Sequence, residues 1–287
     1  MMNRILRTAI TALLLAHLNL TLNAAFDEKT VQVSKGVEGK LVVPRDSNTV
    51  RAVLILHGFN DHLDGVGNLQ EQLAHGLAEA GIGSLRINFR GEGIRNNSVI
   101  TSTKESRIED GEASFRFLKK QFPNANLGVQ GWSLGGSTAI LLIGTQPSWF
   151  KSTVLWSSGG SNSRDQLRQA RDPERNARIK KIILEGSAVH ESWAKITYTR
   201  ENYVSWIGFE AEDYLPNYHG AFLGIRGTKD FLPLHEPDWM KLLPGDRTAY
   251  HVIGGADHIF NVLEPDNGQG DRVVALTVDW FADTLGE

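Results

Sequence analysis

The sequence predicts an α/β domain in which helices cover both faces of a mostly parallel, twisted sheet. From Val31 onward, short β-rich segments alternate with helical patterns. Several of these segments are near-continuous apolar runs, such as residues 52–56, as expected of strands buried on both faces of a parallel sheet. The predicted strands cover residues 39–44, 50–57, 82–89, 126–130, 152–156, 221–226 and 248–253.

Helical patterns occupy segments between these strands. In three of them, apolar residues recur at spacings that put them on one face of a helix. The alternation of strands and helices therefore predicts helices on both faces of the sheet. The three apolar sets are Val66, Leu69, Leu73 and Leu77; Ile108, Phe115, Leu118 and Phe122; and Val274, Val278, Phe281 and Leu285.

One long stretch, residues 160–220, interrupts the alternation because it contains no clear strand. Structureless loops of that length are uncommon inside compact domains, so we interpret the stretch as an inserted helical cap. The predicted organisation is a removable segment 1–25, a first core part 26–159, the cap 160–220 and a second core part 221–287. The cap is rich in aromatic residues, namely Trp193, Tyr198, Tyr203, Trp206, Phe209, Tyr214 and Tyr218.

The first 25 residues have the pattern of a secretory signal peptide. Arg4 and Arg7 precede a mostly apolar stretch at residues 8–22, and the small residues Ala24 and Ala25 follow. The apolar stretch is shorter than the roughly 20 residues that span a bilayer, which favours cleavage after Ala24 or Ala25. An uncleaved anchor and an amphipathic first helix are the alternatives. We expect a secreted or periplasmic protein with no stable membrane insertion.

Composition excludes several classes of function. The 287 residues contain no cysteine, which excludes disulfides, thiolate metal sites and a cysteine nucleophile. The net charge is −3, and no block of lysines and arginines could neutralise phosphates, so no nucleic-acid partner is expected. A metal site at His57 and His62 lacks a third ligand at a familiar spacing. We expect neither a metal nor an organic cofactor.

The sequence Gly-Trp-Ser-Leu-Gly at residues 131–135 marks Ser133 as a candidate nucleophile. It follows a predicted strand and precedes an apolar helical run at residues 137–145, the context in which G-x-S-x-G forms a tight strand-to-helix turn. Such a turn holds the hydroxyl clear of the sheet, at a helix N-terminus that favours developing negative charge. The alternative is a glycine-rich turn that only closes an ordinary βα unit.

A serine hydroxyl needs a base, and the chain order Ser, acid, His points to a late histidine. His258 lies in a glycine-containing loop between the last predicted strand and the last helix. His251 is the best alternative, but it falls within an alternating strand pattern. His219 and His235 flank other elements and lack a comparable loop context.

The histidine in turn needs a carboxylate to orient it. Asp230 ends a turn after a predicted strand, between the serine and the histidine in chain order. Asp257 is adjacent to the histidine, but sequence neighbours rarely have side chains aimed at each other. Asp213 and Asp238 remain open, and a solvated turn aspartate is the alternative interpretation of Asp230.

Two backbone N–H groups are candidates for stabilising the oxyanion of an acyl-transfer reaction. One belongs to Leu134, directly after the nucleophile. The other belongs to Phe59, since Gly58 lets the backbone turn sharply after the preceding strand. His57, at the start of this loop, is interpreted as a structural residue.

Five short sequences, in a fixed order, resemble the α/β-hydrolase superfamily, in particular its capped lipase, esterase and serine-aminopeptidase-like branch. They span roughly residues 40–285, and the second corresponds to a loop that usually shapes the site without reacting. The cap occupies the usual position of an insertion but matches no particular cap. The sequences are His57-Gly58-Phe59, Asn88-Phe89-Arg90-Gly91-Glu92-Gly93, Gly131-Trp132-Ser133-Leu134-Gly135, Gly227-Thr228-Lys229-Asp230 and Gly255-Ala256-Asp257-His258.

The resemblance implies a serine hydrolase that cleaves a small-molecule carboxylic ester through an acyl-enzyme, with Ser133, His258 and Asp230 as catalytic residues. A thioesterase or a serine peptidase would use the same residues. A non-catalytic, hydrolase-like binding protein is the alternative from another class, although three intact residues disfavour it. A carboxylate nucleophile would require aspartate at position 133. The cap aromatics are expected to line an apolar acyl or aryl pocket, or else simply to attach the cap to the core.

Overall fold

The computed structural model describes residues 25–45, 49–93, 96–160, 171–265 and 268–286. The strands are β1 (Phe26–Ser34), β2 (Val37–Pro44), β3 (Arg51–Leu56), β4 (Gly83–Ile87), β5 (Ser98–Ile100), β6 (Asn126–Trp132), β7 (Ser152–Trp156), β8 (Ser187–Glu191), β9 (Lys195–Thr199), β10 (Ala221–Gly227) and β11 (Thr248–Ile253). The helices are α1 (Leu69–Glu79), α2 (Lys104–Gln121), α3 (Leu134–Thr145), α4 (Pro173–Glu185), α5 (Arg200–Ser205), α6 (Glu236–Trp239) and α7 (Gln269–Thr284).

The main sheet has eight strands in the order β1-β2-β4-β3-β6-β7-β10-β11. All neighbours from β4 to β11 are parallel, whereas β2 pairs antiparallel with both β1 and β4. The predicted mostly parallel sheet is therefore confirmed. The carboxyl ends of its parallel strands lie along one edge, which is where loops can bring distant residues together.

Strand β3 shows why the sheet is buried on both faces. Ala52, Leu54 and Leu56 point into one apolar cluster, and Val53 and Ile55 point into the other. The first cluster includes apolar residues of α2 and α3, and the second includes those of α1 and α7. The predicted three-layer arrangement, with helices over both faces, is thus confirmed.

The segment between β7 and β10 contains more than the helices that the sequence predicts. Helices α4 and α5 lie in it, but so do β8 and β9, which form a second sheet in the order β5-β9-β8. Residues 161–170 of this predicted cap lie outside the described residues. The prediction of a helical cap is therefore wrong where β8 and β9 lie. Unlike the five-residue strands β4 and β7, β8 and β9 are mostly polar and each has only one buried residue, so no continuous apolar run marks them in the sequence.

Strand β1 is also absent from the prediction. It is an edge strand with mostly exposed side chains, so it lacks the apolar alternation that identifies a half-buried strand. Apart from Ala25, the predicted signal segment lies outside the described residues. Within the described residues, no helix is both long enough and apolar enough to cross a membrane.

Candidate active site

Ser133 lies on the tight turn between β6 and α3. Its backbone is in the left-handed region, with φ 53° and ψ −116°, which is strained for a residue with a side chain. The N–H of Ser133 donates to the carbonyl of Trp156 on neighbouring β7, at 2.8 Å. This bond ties the turn to the sheet, so the hydroxyl is presented at the carboxyl edge of the strands.

The glycines around Ser133 allow this turn because side chains have no room there. A Cβ at Gly135 would overlap the carbonyl oxygens of Leu56 and His57, and a Cβ at Gly131 would overlap the backbone of Gly135. The G-x-S-x-G spacing therefore reflects close backbone approach between the turn and the end of β3.

Three predicted side chains meet at this edge. The Nε2 atom of His258 lies 3.0 Å from Oγ of Ser133, and its Nδ1 atom lies 2.8 Å from Oδ1 of Asp230. His258 follows β11, and Asp230 follows β10, so each residue comes from a different loop. The arrangement can pass a proton from the serine hydroxyl to an imidazole that a carboxylate orients.

The Asp230 carboxylate is almost fully buried, with 1% of its side chain exposed. Its Oδ1 also accepts the N–H of Leu232 at 2.9 Å, and its Oδ2 accepts Nη1 of Arg226 at 2.9 Å. Burial raises the pKa of Asp230, but the hydrogen bond and charge of His258, the Leu232 N–H and the Arg226 charge outweigh it. The pKa of Asp230 therefore lies below its ordinary 3.8, and the carboxylate is ionised at neutral pH.

The other candidate aspartates make different contacts from those of Asp230. Asp257 Oδ1 accepts the backbone N–H groups of Ile259 and Asn261, so this carboxylate stabilises its own loop. Asp238 pairs with a lysine on the surface, and Asp213 lies exposed on a 3₁₀ turn.

The alternative histidines among the described residues lie elsewhere. His251 is exposed on the edge strand β11, and His219 is exposed as well. His235 is buried and stacks on Trp239. Among the histidines of the described residues, only His258 lies within hydrogen-bond distance of the Ser133 hydroxyl.

The two predicted oxyanion donors border the same cavity as Ser133. Phe59 and Leu134 both line it, and a Cβ at Gly58 would lie 3.4 Å from the Cβ of Ser133. In the described part of the chain, neither the Phe59 N–H nor the Leu134 N–H donates a hydrogen bond to another protein group. Two N–H groups without a protein acceptor at the border of the cavity are what an oxyanion site requires.

The buried His57 side chain stabilises the loop that contains Phe59. The His57 imidazole engages both ring nitrogens, Nδ1 with the Gly58 carbonyl at 2.8 Å and Nε2 with the Phe89 N–H at 3.2 Å. Burial and the nearby Arg107 charge lower the pKa of His57 to about 3. His57 is therefore neutral and structural, as predicted, with the proton on Nδ1.

Glu92 and Arg107 form a buried ion pair that is hydrogen-bonded to the backbone of the same loop. Arg107 Nη1 donates to Glu92 Oε1 at 2.5 Å, and Arg107 Nη2 donates to the His57 carbonyl at 2.8 Å. Glu92 Oε2 accepts the N–H of Asn60 at 2.8 Å. With residues 57 and 60 both held, the intervening Phe59 N–H has a defined position.

Replacing Glu92 by glutamine is expected to destabilise the protein by about 3–5 kcal/mol, since the buried Arg107 charge loses its partner. The measurement is the free energy of unfolding in urea. Glu112→Gln is the matched control, because Glu112 pairs with Arg116 on the surface and its loss is expected to change stability by less than about 1 kcal/mol. Equal losses for the two variants would contradict the importance of the buried pair.

A cavity of about 290 Å³ opens beside Ser133. The second sheet contributes to its wall, since Tyr198 of β9 stacks on Phe59 with ring centroids 5.2 Å apart. None of the described residues that line the cavity carries a charged side chain. They are Phe59, Ser133, Leu134, Ser137, Gly159, Tyr198, Asn202, Tyr203, Trp206 and Leu232.

The seven aromatic residues of the predicted cap have different roles. Tyr198, Tyr203 and Trp206 line the cavity. In contrast, Phe209, Tyr214 and Tyr218 pack against the main core, and Trp193 is 66% exposed. The expected apolar pocket thus involves three of the seven, and three others attach the segment to the sheet.

One group of side chains in the described residues could geometrically share a cation. Glu28, Glu71 and His75 have ligand atoms within 4.8 Å of one another, on β1 and α1. Lys40 and Arg86 already pair with these carboxylates. Since two resident cations neutralise the group, its chemistry does not fit a metal site.

The sequence gives no functional role to four charged residues that lie beside the site. Arg226 and Glu236 lie behind Asp230, and Glu92 and Arg107 lie under the Phe59 loop. Arg226 carried a detectable signal, since a charged residue in an otherwise apolar strand requires a buried partner. The identity of that partner has no local signature.

Comparisons with known proteins show the family and the fold of the chain. The family described as serine aminopeptidase, S33, matches residues 47–198, more than half of the chain. The esterase EstD of Thermotoga maritima is 29% identical over 115 residues, which are 39% of this chain and 28% of that esterase. The chain therefore aligns with less than a third of this relative.

Two solved structures share the fold over nearly the whole chain. Est1E from Butyrivibrio proteoclasticus has a TM-score of 0.68 at 15% identity, covering 91% of this chain and 99% of its own. A dienelactone hydrolase from Anabaena variabilis has a TM-score of 0.58 at 17% identity, covering 91% and 99%. At these identities the likeness concerns the fold alone.

Proposed function

The chain belongs to the serine aminopeptidase family S33 of the α/β hydrolases, and we propose that it is a serine hydrolase that cleaves carboxylic esters. The observation that carries this proposal is the hydrogen-bonded series Ser133, His258 and Asp230 beside a cavity whose described lining residues are all uncharged. A serine hydroxyl is a weak nucleophile, and it becomes reactive when an oriented base accepts its proton.

In the first half of the reaction, Ser133 Oγ attacks the ester carbonyl while its proton passes to Nε2 of His258. The carbonyl oxygen becomes an oxyanion, which the N–H groups of Phe59 and Leu134 stabilise. The imidazolium is stabilised by the ionised Asp230 at Nδ1. The C–O bond to the alcohol then breaks, and the leaving oxygen takes the proton from Nε2.

In the second half, water replaces the alcohol. His258 Nε2 accepts a proton from this water, whose oxygen attacks the acyl carbon attached to Ser133 Oγ. The same two N–H groups stabilise the second oxyanion. The bond to Ser133 breaks, its oxygen regains a proton from His258, and the carboxylic acid is released.

The lining of the cavity favours an ester over the substrate that the family description names. An aminopeptidase must bind the α-ammonium group of its substrate, which calls for a carboxylate near the nucleophile. Among the described residues, none that lines the cavity is acidic, and Tyr198, Tyr203 and Trp206 give it an aromatic wall. An uncharged, apolar acyl group suits this wall. EstD, the curated relative, is an esterase by name.

The test combines covalent labelling with a substrate panel. A fluorophosphonate is expected to phosphonylate Ser133, as located by peptide mass spectrometry, and p-nitrophenyl esters from acetate to palmitate are expected to be hydrolysed. Thioester and amino-acid p-nitroanilide substrates are measured in parallel. Faster turnover of either would reassign the substrate class, and an unlabelled Ser133 in folded protein would support a binding role.

A further inference from the structure

A buried ion pair, Arg226 and Glu236, lies directly behind the Asp230 carboxylate. Both side chains are almost fully buried, at 2% and 1% exposure. Moving two charges out of water costs about as much free energy as their mutual attraction provides. A buried ion pair is therefore weak evidence for a contribution to stability. The ion pair takes no part in the reaction proposed above, but its contacts with Asp230 indicate a role.

The Arg226 guanidinium connects three parts of the site. Its Nε lies 2.9 Å from both carboxylate oxygens of Glu236 at the start of α6, and its Nη1 donates to Oδ2 of Asp230 at 2.9 Å. Its Nη2 donates to the carbonyl of Ser158 at 2.5 Å, in the loop after β7. All three nitrogens are engaged, so the planar group holds Asp230 in one orientation.

The charges of this cluster add up in a way that favours proton uptake by His258. With a neutral imidazole, the buried groups are two carboxylates and one guanidinium, a net charge of −1. When His258 accepts the proton of Ser133, the total charge of these groups becomes zero, and the balancing negative charge lies on the oxyanion of the substrate. Without Glu236, the charges of Arg226 and Asp230 would cancel. Protonation of His258 would then give these buried groups a net positive charge.

Resting on the proposed ester hydrolysis, we propose that Arg226 and Glu236 are positioning residues that act as a pair on His258. Arg226 holds the second oxygen of Asp230, and Glu236 offsets the Arg226 charge. The pair thereby fixes the geometry of the acid and adds no net charge beside the imidazole. The pKa of Asp230, lowered in part by Arg226, agrees with a permanently ionised acid.

Other charged groups near His258 are accounted for by their own contacts. Asp257, its sequence neighbour, is bound to two backbone N–H groups of its own loop. Lys229, next to Asp230, is exposed to solvent. From β6, Trp132 donates its indole N–H to the His258 carbonyl, and α3 presents Ser133, so neither element adds a charge. His235 precedes Glu236 and stacks on Trp239.

The test is the pH profile of kcat/KM for a p-nitrophenyl ester, whose acidic limb reports protonation of the free enzyme's His258. Glu236→Gln is expected to move this limb to lower pH by about one unit, because Arg226 is then unopposed. Arg226→Gln is expected to move it to higher pH. The double variant restores the net charge, and its limb is expected near that of the wild type.

Two conservative comparisons separate this effect from a structural one. Asp238→Asn, on the exposed side of α6, is expected to leave the limb unchanged. Arg226→Lys keeps the charge and is expected to keep the limb while lowering kcat about tenfold through looser orientation of Asp230. Limbs that shift in the same direction in both single glutamine variants, or that do not shift, would overturn the proposal.

The proposal can still be tested if the single glutamine variants fail to fold. If the single glutamine variants do not fold, the double variant and Arg226→Lys carry the test, because neither leaves a buried charge unpaired. A limb displaced by about one pH unit in either would overturn the proposal. Absence of any turnover by the wild type, with Ser133 unlabelled by fluorophosphonate, would instead be a failure of the proposed ester hydrolysis.

Discussion

Ser133→Ala is expected to lower kcat for p-nitrophenyl esters by about 10⁴-fold or more, since no acyl-enzyme can form. His258→Ala should cause a similar loss, because the hydroxyl then has no base. The double variant should be little worse than either single variant, since the two residues act as one unit. Initial rates at saturating substrate give the comparison.

Two matched controls accompany this experiment. Ser137→Ala removes another hydroxyl from the same cavity, one that donates to the Gly159 carbonyl, and it should retain most of the activity. His251→Ala removes an exposed histidine on β11 and should have no effect. Additive losses in the Ser133 and His258 double variant would show that the two residues do not cooperate.

Asp230→Asn is expected to lower kcat by about 10⁴-fold, although the side chain keeps its shape. The carboxylate accepts from His258 and Leu232 on one oxygen and from Arg226 on the other. An amide must turn its NH₂ toward one of these donor sets. If the NH₂ faces His258, the imidazole carries its proton on Nε2 and cannot accept one from Ser133.

The control for this variant is Asp257→Asn, which alters a carboxylate that accepts hydrogen bonds from two backbone N–H groups of its own loop. Its kcat should fall by less than about tenfold. Thermal unfolding of both variants checks that they fold. If Asp257→Asn lost more activity than Asp230→Asn, the role of the acid would have to be reassigned.

The sequence by itself determined the fold class and the local part of the site. The β3 run and the three amphipathic repeats predict buried strands and covering helices because these patterns are short-range. Ser133 is recognisable for the same reason, since a strand, a glycine-rich turn and a helix follow one another within residues 126–145. His258 and Asp230 follow from their positions on loops after strands of one sheet.

Only the tertiary structure shows that the Asp230 carboxylate, and not that of Asp257, contacts the His258 imidazole, because this contact depends on where two loops meet and not on sequence separation. It also revealed the Arg107–Glu92 and Arg226–Glu236 pairs, which hold the Phe59 loop and Asp230. A pattern of one segment cannot identify the buried partner of a charge, since the partner is chosen by the packing of distant elements. The same applies to the small sheet of β5, β8 and β9. Its strands lack a continuous apolar run, and β5 pairs with β9 across almost 100 residues.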